Sequence, residues 1–191
     1  MNRFRAVLDA CVMLPQTLNN LLLCLAEAEL YQPVWSADLL DEVERNLVGP
    51  KFGKTAAQAA HRIATMRAAF PDAEVDGYRD LIDGLRTHPK DCHVLAAAIR
   101  SGAAQIVTAN LEDFPGEALE PFGIEVVHPD EFLLNQLELD PRAVVGSIDT
   151  MLSRNRTHPF TRTELFETLS RLGHAPDFAA AARARRIATD D

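Results

Sequence analysis

The segment RAVLDACVML (residues 5–14) places a single carboxylate, Asp9, directly after the apolar residues Ala6, Val7 and Leu8. A short apolar run of this kind is typical of a buried strand in a parallel sheet. Burying an ionised aspartate is costly unless the charge is paired, so Asp9 requires a partner or a ligand. Two interpretations are open. Asp9 caps the segment after the strand, or it lies at the carboxyl end of a central strand, where α/β proteins bind ligands and metal ions.

Strand and helix patterns alternate along the chain as far as residue 138. Strands are predicted at 5–8, 33–36, 104–108 and 123–127, and helices at 18–29, 37–48, 55–69, 77–86 and 91–101. Ser36 is the predicted cap of the second helix, and Gly102 is the predicted stop of the last one. This alternation predicts an α/β fold with a parallel sheet of about four strands flanked by helices.

Residues 139–191 carry helical patterns only. Asp140-Pro141 is typical of a helix start, TRTE (residues 161–164) is a capping-box pattern, and DFAAAARARRIA (177–188) predicts a last helix. We therefore expect a domain over 1–138 and a helical C-terminal appendage over 139–191. The arginines of the last helix, Arg183, Arg185 and Arg186, either grip phosphates or an acidic partner, or are simply solvated.

Composition favours a soluble globular protein, with 47% hydrophobic and 25% charged residues. No apolar stretch approaches the roughly 18 residues of a membrane span, and the N-terminus lacks the apolar core of a secretion signal. Cys11, Cys24 and Cys92 form no C-x-x-C pair. This favours reduced thiols in the cytoplasm over a disulfide framework or a zinc site.

A formal net charge of −9 argues against a protein that binds nucleic acid over a broad surface. The charge is unevenly distributed, however. From residue 45 to residue 71 the chain has no acidic residue and these basic ones: Arg45, Lys51, Lys54, Arg62 and Arg67. The segment is therefore either a local basic face on an acidic protein or an ordinary solvated helix surface.

Four carboxylates lie near predicted strand ends or helix starts: Asp9, Glu42, Asp91 and Asp113. Parallel strands bring such positions to one edge of the sheet, where the charges would raise one another's pKa values. A hard divalent cation relieves that repulsion, and an all-oxygen ligand set selects Mg²⁺ or Mn²⁺ over zinc. The simpler alternatives are a helix cap for Asp91, an exposed charge for Glu42 and a turn residue for Asp113.

Certain stretches, in their order and spacing, resemble the motifs of PIN-domain ribonucleases, in particular VapC-like toxins of bacterial toxin–antitoxin pairs: LDACVML, SADLLDEVERNL, PKDCHVLAAAI and IVTANLEDFP. The resemblance covers roughly residues 4–135. It implies a flavodoxin-like sheet and a Mg²⁺- or Mn²⁺-dependent endoribonuclease acting on RNA. It also implies a cognate antitoxin that covers the site and, as in many relatives, a homodimer.

The resemblance also implies roles for individual residues. The metal-binding acids by position are Asp9, Glu42, Asp91 and Asp113, and Thr108 matches a hydroxyl that orients the site. Many relatives have an aspartate two residues after that hydroxyl, where this chain has Asn110. The change leaves Asp113 as the late acid, makes Asn110 a neutral hydrogen-bonding group, and leaves open whether one or two metal ions bind.

Glu44 competes with Glu42 for the second acid position. Residues two apart on a helix point about 200° apart, so both cannot face one site. The spacing to Leu47 matches the family's pattern for Glu42, which is therefore preferred. His93, two residues after Asp91, is expected to pack beside the site rather than to bind the metal.

A metal ion held by these acids would activate water for attack on a phosphodiester, leaving a 5′-phosphate and a 3′-hydroxyl. The predicted contacts to RNA phosphates are Arg45, Lys51, Lys54 and Arg62. A non-catalytic RNA-binding PIN-type protein is the main alternative, although it would lack several of the acids that this chain retains. A haloacid-dehalogenase-like phosphatase is a weaker one, because it needs a second aspartate where this chain has Cys11.

Overall fold

The computed structural model describes residues 4–155 and 160–185. The chain divides into two compact units, each built from two separate stretches. The sheet unit consists of the residues up to 14 and of 32–127, and the helical unit consists of 15–31 and the residues from 128 onward. The expected division into domains 1–138 and 139–191 remains a prediction. In the structure, residues 15–31 pack with the C-terminal helices in the helical unit and not in the sheet unit.

Five parallel strands form the sheet: β1 (Arg5–Leu8), β2 (Gln32–Ser36), β3 (Glu74–Val75), β4 (Gln105–Val107) and β5 (Glu125–Val127). Their order is β3-β2-β1-β4-β5, so β1 is central, and its Val7 pairs with Val34 on one side and Ile106 on the other. The predicted parallel α/β fold is confirmed. The sheet has one more strand than predicted, because two residues of β3 are too few to produce a recognisable pattern.

The described residues contain these α-helices: α1 (Ala10–Met13), α2 (Gln16–Glu27), α3 (Ala37–Val48), α4 (Ala56–Ala69), α5 (Cys92–Ser101), α6 (Gly116–Leu119), α7 (Pro129–Leu139), α8 (Pro141–Arg154), α9 (Arg162–Arg171) and α10 (Pro176–Ala184). Ser36 caps α3 by accepting a hydrogen bond from the Leu39 amide at 3.2 Å. Gly102 ends α5 in the left-handed conformation that glycine adopts freely. None of the described helices is both long and apolar enough to cross a membrane.

The helix predicted over 77–86 is instead a short 3₁₀ turn, Arg79–Gly84. Gly77, with a φ of 69°, takes a left-handed conformation that an α-helix cannot include, so the regular structure starts later. Tyr78 packs with Ala96 and Ala97 of α5, and Leu85 joins that cluster. Apolar contact therefore holds this turn against α5.

The core of the sheet unit surrounds β1 and β2. Ala6, Val7 and Leu8 are fully buried, as is Trp35, whose ring meets Phe70 edge-on at 5.9 Å. A central parallel strand is covered on both faces, which explains its continuous apolar run. Asp9 follows this run and is itself buried.

In the helical unit, α2 packs against α8 and α9, while α10 packs against α7 and α9. Leu18, Leu21, Leu22 and Leu25 of α2 are buried, and the Tyr31 ring meets Phe132 edge-on at 5.0 Å. Asp130 accepts hydrogen bonds from the amides of Asp177 and Phe178, which ties α7 to the start of α10. The described helices agree with the helical pattern predicted for this part of the chain.

The caps predicted for the C-terminal helices are confirmed. Asp140 accepts from the amide of Ala143 at the start of α8, and residues 161–164 form the capping box of α9. Arg185 donates to the carbonyl of Leu137, whereas Arg183 is exposed. Arg186 lies outside the described residues.

Arg62 of α4 is hydrogen-bonded within the fold and is not free to contact RNA. Its guanidinium donates to the carbonyls of Met13 and Leu14 at the end of α1, and burial lowers its pKa to about 10. The last carbonyls of a helix lack partners within the helix, so this arginine satisfies groups that would otherwise be unpaired.

Arg62→Ala is expected to lower the free energy of unfolding by about 1–3 kcal/mol, because it leaves carbonyl groups of α1 without their donors. The matched control is Arg67→Ala on the same helix. Arg67 forms a solvent-exposed ion pair with Glu74, a type of contact worth about 0–1 kcal/mol. Urea unfolding of both variants measures the difference, and equal losses would contradict the structural role of Arg62.

Candidate active site

The strand order reverses between β1 and β4, since the chain proceeds from β1 through β2 to β3 on one side and from β4 to β5 on the other. In open α/β sheets the crevice at such a reversal, at the carboxyl ends of the strands, is the usual ligand site. Asp9 directly follows β1, and Thr108 directly follows β4. These two residues therefore mark the point at which a site is expected.

Asp9 uses its two carboxylate oxygens differently. Oδ1 accepts a hydrogen bond from the Ala10 amide at 2.7 Å, which caps α1. Oδ2 accepts from Thr108 Oγ1 at 2.7 Å and from Cys11 Sγ at 3.0 Å. Both interpretations of Asp9 thus describe part of its environment, because one oxygen serves the local fold and the other joins β1 to β4.

Cys11 was not among the predicted site residues, yet it belongs to this network. Its Sγ accepts from the Ala109 amide at 3.2 Å, and burial, followed by the charge of Asp9, raises its pKa to about 12. The side chain is therefore a neutral thiol near neutral pH and can donate to Asp9. Thr108 Oγ1 in turn accepts from the Asn110 amide at 3.1 Å. The only signal for Cys11 in the sequence is its place two residues after the acid.

An open cleft of about 720 Å³ lies in the sheet unit, and its lining is strongly polar: Asp38, Glu42, Arg45, His88, Lys90, Asp91, His93, Asn110 and Asp113. Three of the four predicted acids share this lining. Glu44 lies instead along a separate shallow groove with Asp41, Arg45 and Val48. The structure therefore brings Glu42, and not Glu44, to the other acids.

The charges of the four acids act on one another. Burial, followed by the charge of Asp9, raises the pKa of Glu42. Burial, followed by the charges of Asp113 and Asp9, raises the pKa of Asp91. Among the described residues no three His, Cys, Asp or Glu side chains are already placed to hold a metal ion. The acids nevertheless fit a hard divalent cation by their chemistry, because they are all oxygen donors whose mutual repulsion a cation would relieve.

Asp91 occupies the capping position of α5 but makes no capping hydrogen bond through its side chain. Its Oδ2 lies 3.3 Å from His88 Nδ1 instead. The alternative that Asp91 is simply a helix cap is therefore not supported. His93 Nε2 lies 3.8 Å from Glu42 Oε2, and its buried Nδ1 has no hydrogen-bond partner among the described residues. This placement agrees with the expectation that His93 packs beside the acids.

The predicted basic residues occupy different surroundings. Arg45 lines the cleft, one turn of α3 beyond Glu42. Lys51 and Lys54 are exposed, and the Lys51 ammonium lies 5.6 Å from the centre of the Phe52 ring. Arg62 is not grouped with them, because it is committed to the carbonyls of α1. Asn110 is exposed at the cleft.

The family model described as PIN domain matches residues 5–112, a span that runs from β1 to the residues just after β4. This chain belongs to the PIN-domain family. The match includes Asp9, Glu42, Asp91, Thr108 and Asn110 and ends one residue before Asp113. A second model, described as VapC50 C-terminal domain, matches residues 129–184 of this PIN-domain protein, the range of α7 to α10.

A curated relative shares the name VapC50 with the second family model. The chain is 42% identical over 137 residues to "Putative ribonuclease VapC50" of Mycobacterium tuberculosis (strain ATCC 25618 / H37Rv), a match that covers 70% of this chain and 76% of the relative. No solved structure shows a significant match. The comparisons confirm the resemblance to VapC-like PIN-domain ribonucleases.

Asp91→Asn is expected to stabilise the metal-free protein at neutral pH. The pKa of Asp91 is raised in the folded state, so the folded protein binds this proton more tightly than the unfolded chain, and stability falls as the pH rises through the folded-state pKa. The advantage of the variant over the parent should therefore grow with pH. Urea unfolding in the presence of a chelator, from about pH 4 to pH 8, measures it.

Glu44→Gln is the matched control, because Glu44 lies outside the cleft lining. It should change stability little across the same range. If Asp91→Asn and the parent protein were equally stable at every pH, the acids would not repel one another as described.

Proposed function

We propose that this PIN-domain protein is a Mg²⁺- or Mn²⁺-dependent endoribonuclease and the toxin of a type II toxin–antitoxin pair. The observation that carries the proposal is that Glu42, Asp91 and Asp113 line one cleft and that the charge of the buried Asp9 helps to raise the pKa values of Glu42 and Asp91. The name of the VapC50 relative supports the ribonuclease activity. The choice of ion rests on the oxygen-only set of donors.

The four acids would hold the ion, which would polarise water and offset the negative charge that develops on the phosphoryl oxygens. Thr108 and Cys11 position the Asp9 carboxylate by donating to its Oδ2. The same two side chains accept from the Asn110 and Ala109 amides, so they also position the loop that leads from β4 to Asp113. Outer hydrogen bonds of this kind typically change metal affinity or activity by about 10–100-fold.

Arg45, Lys51 and Lys54 are the proposed contacts to RNA phosphates, since they are exposed cations on the chain segment that follows Glu42. Arg62 is not carried forward as an RNA contact, because its guanidinium is already hydrogen-bonded to α1. Each phosphate contact contributes about 0.7 to the slope of the logarithm of the binding constant against the logarithm of the salt concentration, for a single-stranded nucleic acid. The side chain of the exposed residue Asn110 supplies a neutral hydrogen-bonding group in the same cleft.

The proposed partners are an RNA substrate and a cognate antitoxin that covers the cleft. A homodimer is a further proposal, carried by the family resemblance. The proposed compartment is the cytoplasm, which the three free cysteines favour, and no membrane association is proposed.

Each of four substitutions is expected to abolish Mn²⁺-dependent RNA cleavage, because each removes a proposed ligand: Asp9→Asn, Glu42→Gln, Asp91→Asn and Asp113→Asn. Thr108→Val keeps the ligands but removes the hydroxyl that donates to Asp9 and accepts from the Asn110 amide, so a loss of about 10–100-fold is expected. Glu44→Gln should be nearly neutral. Cleavage of a single-stranded RNA with Mn²⁺, and with chelator in its place, measures all six variants.

Wild-type activity that survives the chelator would argue against a metal-dependent enzyme. Binding of RNA without cleavage under any condition would favour the alternative of a non-catalytic RNA-binding PIN-type protein. Unchanged activity in Asp9→Asn would contradict the assignment of the central acid.

A further inference from the structure

A tight turn, His88-Pro89-Lys90-Asp91, leads the chain into α5. The Asp91 amide donates to the carbonyl of His88 at 2.8 Å, which closes a four-residue turn. Pro89 occupies the second position, where the fixed φ of proline favours turns of this kind. The turn therefore has both the residue and the hydrogen bond that define its shape.

Contacts on either side hold this turn in place. The His88 amide donates to the Asp113 carbonyl at 3.4 Å, and His88 Nδ1 lies 3.4 Å from the Lys90 amide nitrogen. On the other side, Thr87 Oγ1 donates to Cys92 Sγ at 3.2 Å in the first turn of α5. Two of the proposed metal ligands, Asp91 and Asp113, are thus joined through the backbone of the turn. The residue that the turn presents between its anchors is Lys90.

Lys90 is exposed and lines the acidic cleft together with Glu42, Asp91 and Asp113. No ion pair of its ammonium is found among the residues that the structure describes. Arg79 of the preceding 3₁₀ turn differs, because it pairs with Asp38 at 2.7 Å and is thereby held at the first turn of α3. A lysine ammonium on a flexible stem binds phosphate as a point charge.

We propose that Lys90 binds a backbone phosphate of the RNA next to the phosphate that is cleaved. The inference rests on the proposed ribonuclease function and adds a specific contact to it. Lys90 directly precedes the proposed ligand Asp91, so a strand whose scissile phosphate meets the acids passes within reach of the ammonium. Arg45 enters the same cleft from α3, three residues after Glu42. The RNA strand is thus met by a cation on the α3 side and by another on the α5 side.

The first test compares Lys90→Ala with Lys90→Arg and with the control Arg86→Ala. Arg86 is an exposed cation four residues earlier in the same loop, and it does not line the cleft. Lys90→Ala should raise KM for a short single-stranded RNA about tenfold, an effect larger than its effect on kcat, while Lys90→Arg retains most of the affinity. The slope of binding against salt should fall by about 0.7 for Lys90→Ala and stay unchanged for Arg86→Ala.

The second test neutralises one phosphate of the RNA at a time with a methylphosphonate linkage, after the cleavage site has been mapped. A neutral linkage beside the cleaved bond should weaken binding to the wild-type protein but have little further effect on Lys90→Ala. A purely structural role for Lys90 would leave the two proteins equally sensitive at every position. Thermal unfolding of each variant checks that the fold is retained.

The outcomes separate the two proposals. If the wild-type protein cleaves RNA and Lys90→Ala shows the parent's KM and salt slope, Lys90 is not a phosphate contact, although the ribonuclease function stands. If Arg86→Ala changed KM and the salt slope as much as Lys90→Ala does, the effect would come from positive charge in general. That result would overturn the proposal of a specific contact by Lys90. If the wild-type protein neither binds nor cleaves RNA, the proposed function itself fails.

Discussion

The hydrogen bond from Thr108 Oγ1 to Asp9 Oδ2 joins the ends of β1 and β4, and the geometry of the proposed site depends on it. It connects residues 99 positions apart in sequence at the point where the strand order reverses. Cys11 adds a second donor to the same oxygen, and the Ala109 amide ties the thiol to the segment after β4. The orientation of the buried carboxylate and the start of the loop toward Asp113 are therefore fixed by one small network.

The acids around this network work against the stability of the metal-free protein. Burial and neighbouring charges raise the pKa values of Glu42 and Asp91, so ionising them in the folded state costs free energy. Arg45 and Lys90 line the same cleft, but no ion pair between them and these acids is found among the described residues, and Arg79 pairs with Asp38 instead. A divalent cation offers the missing compensation, and this links the strain in the fold to the proposed chemistry.

Strong local patterns in the sequence predicted much of the fold, whereas the assignment of the four acids rested on the family resemblance. The apolar run before Asp9, the cap at Ser36 and the stop at Gly102 each act over a few residues, which is why they could be read directly. Other features depend on partners distant in sequence. The role of Arg62 is determined by its hydrogen bonds to carbonyls 48 and 49 positions earlier. The role of Cys11 is likewise determined by its contacts with Thr108 and Ala109. Similarly, α2 has an ordinary apolar face in sequence, and only the packing shows that its partners are α8 and α9.

Calorimetric titration of the metal-free protein with Mn²⁺, repeated in buffers of different ionisation enthalpy, tests the central claim most directly. If the four acids form one cation site, Mn²⁺ binding should release protons, because the ion requires charged carboxylates. For the same reason the affinity for Mn²⁺ should increase as the pH rises through the raised pKa values of Glu42 and Asp91. Asp91→Asn should weaken binding strongly, and Glu44→Gln should not. Absence of Mn²⁺ binding, or binding that is indifferent both to pH and to Asp91→Asn, would contradict the account.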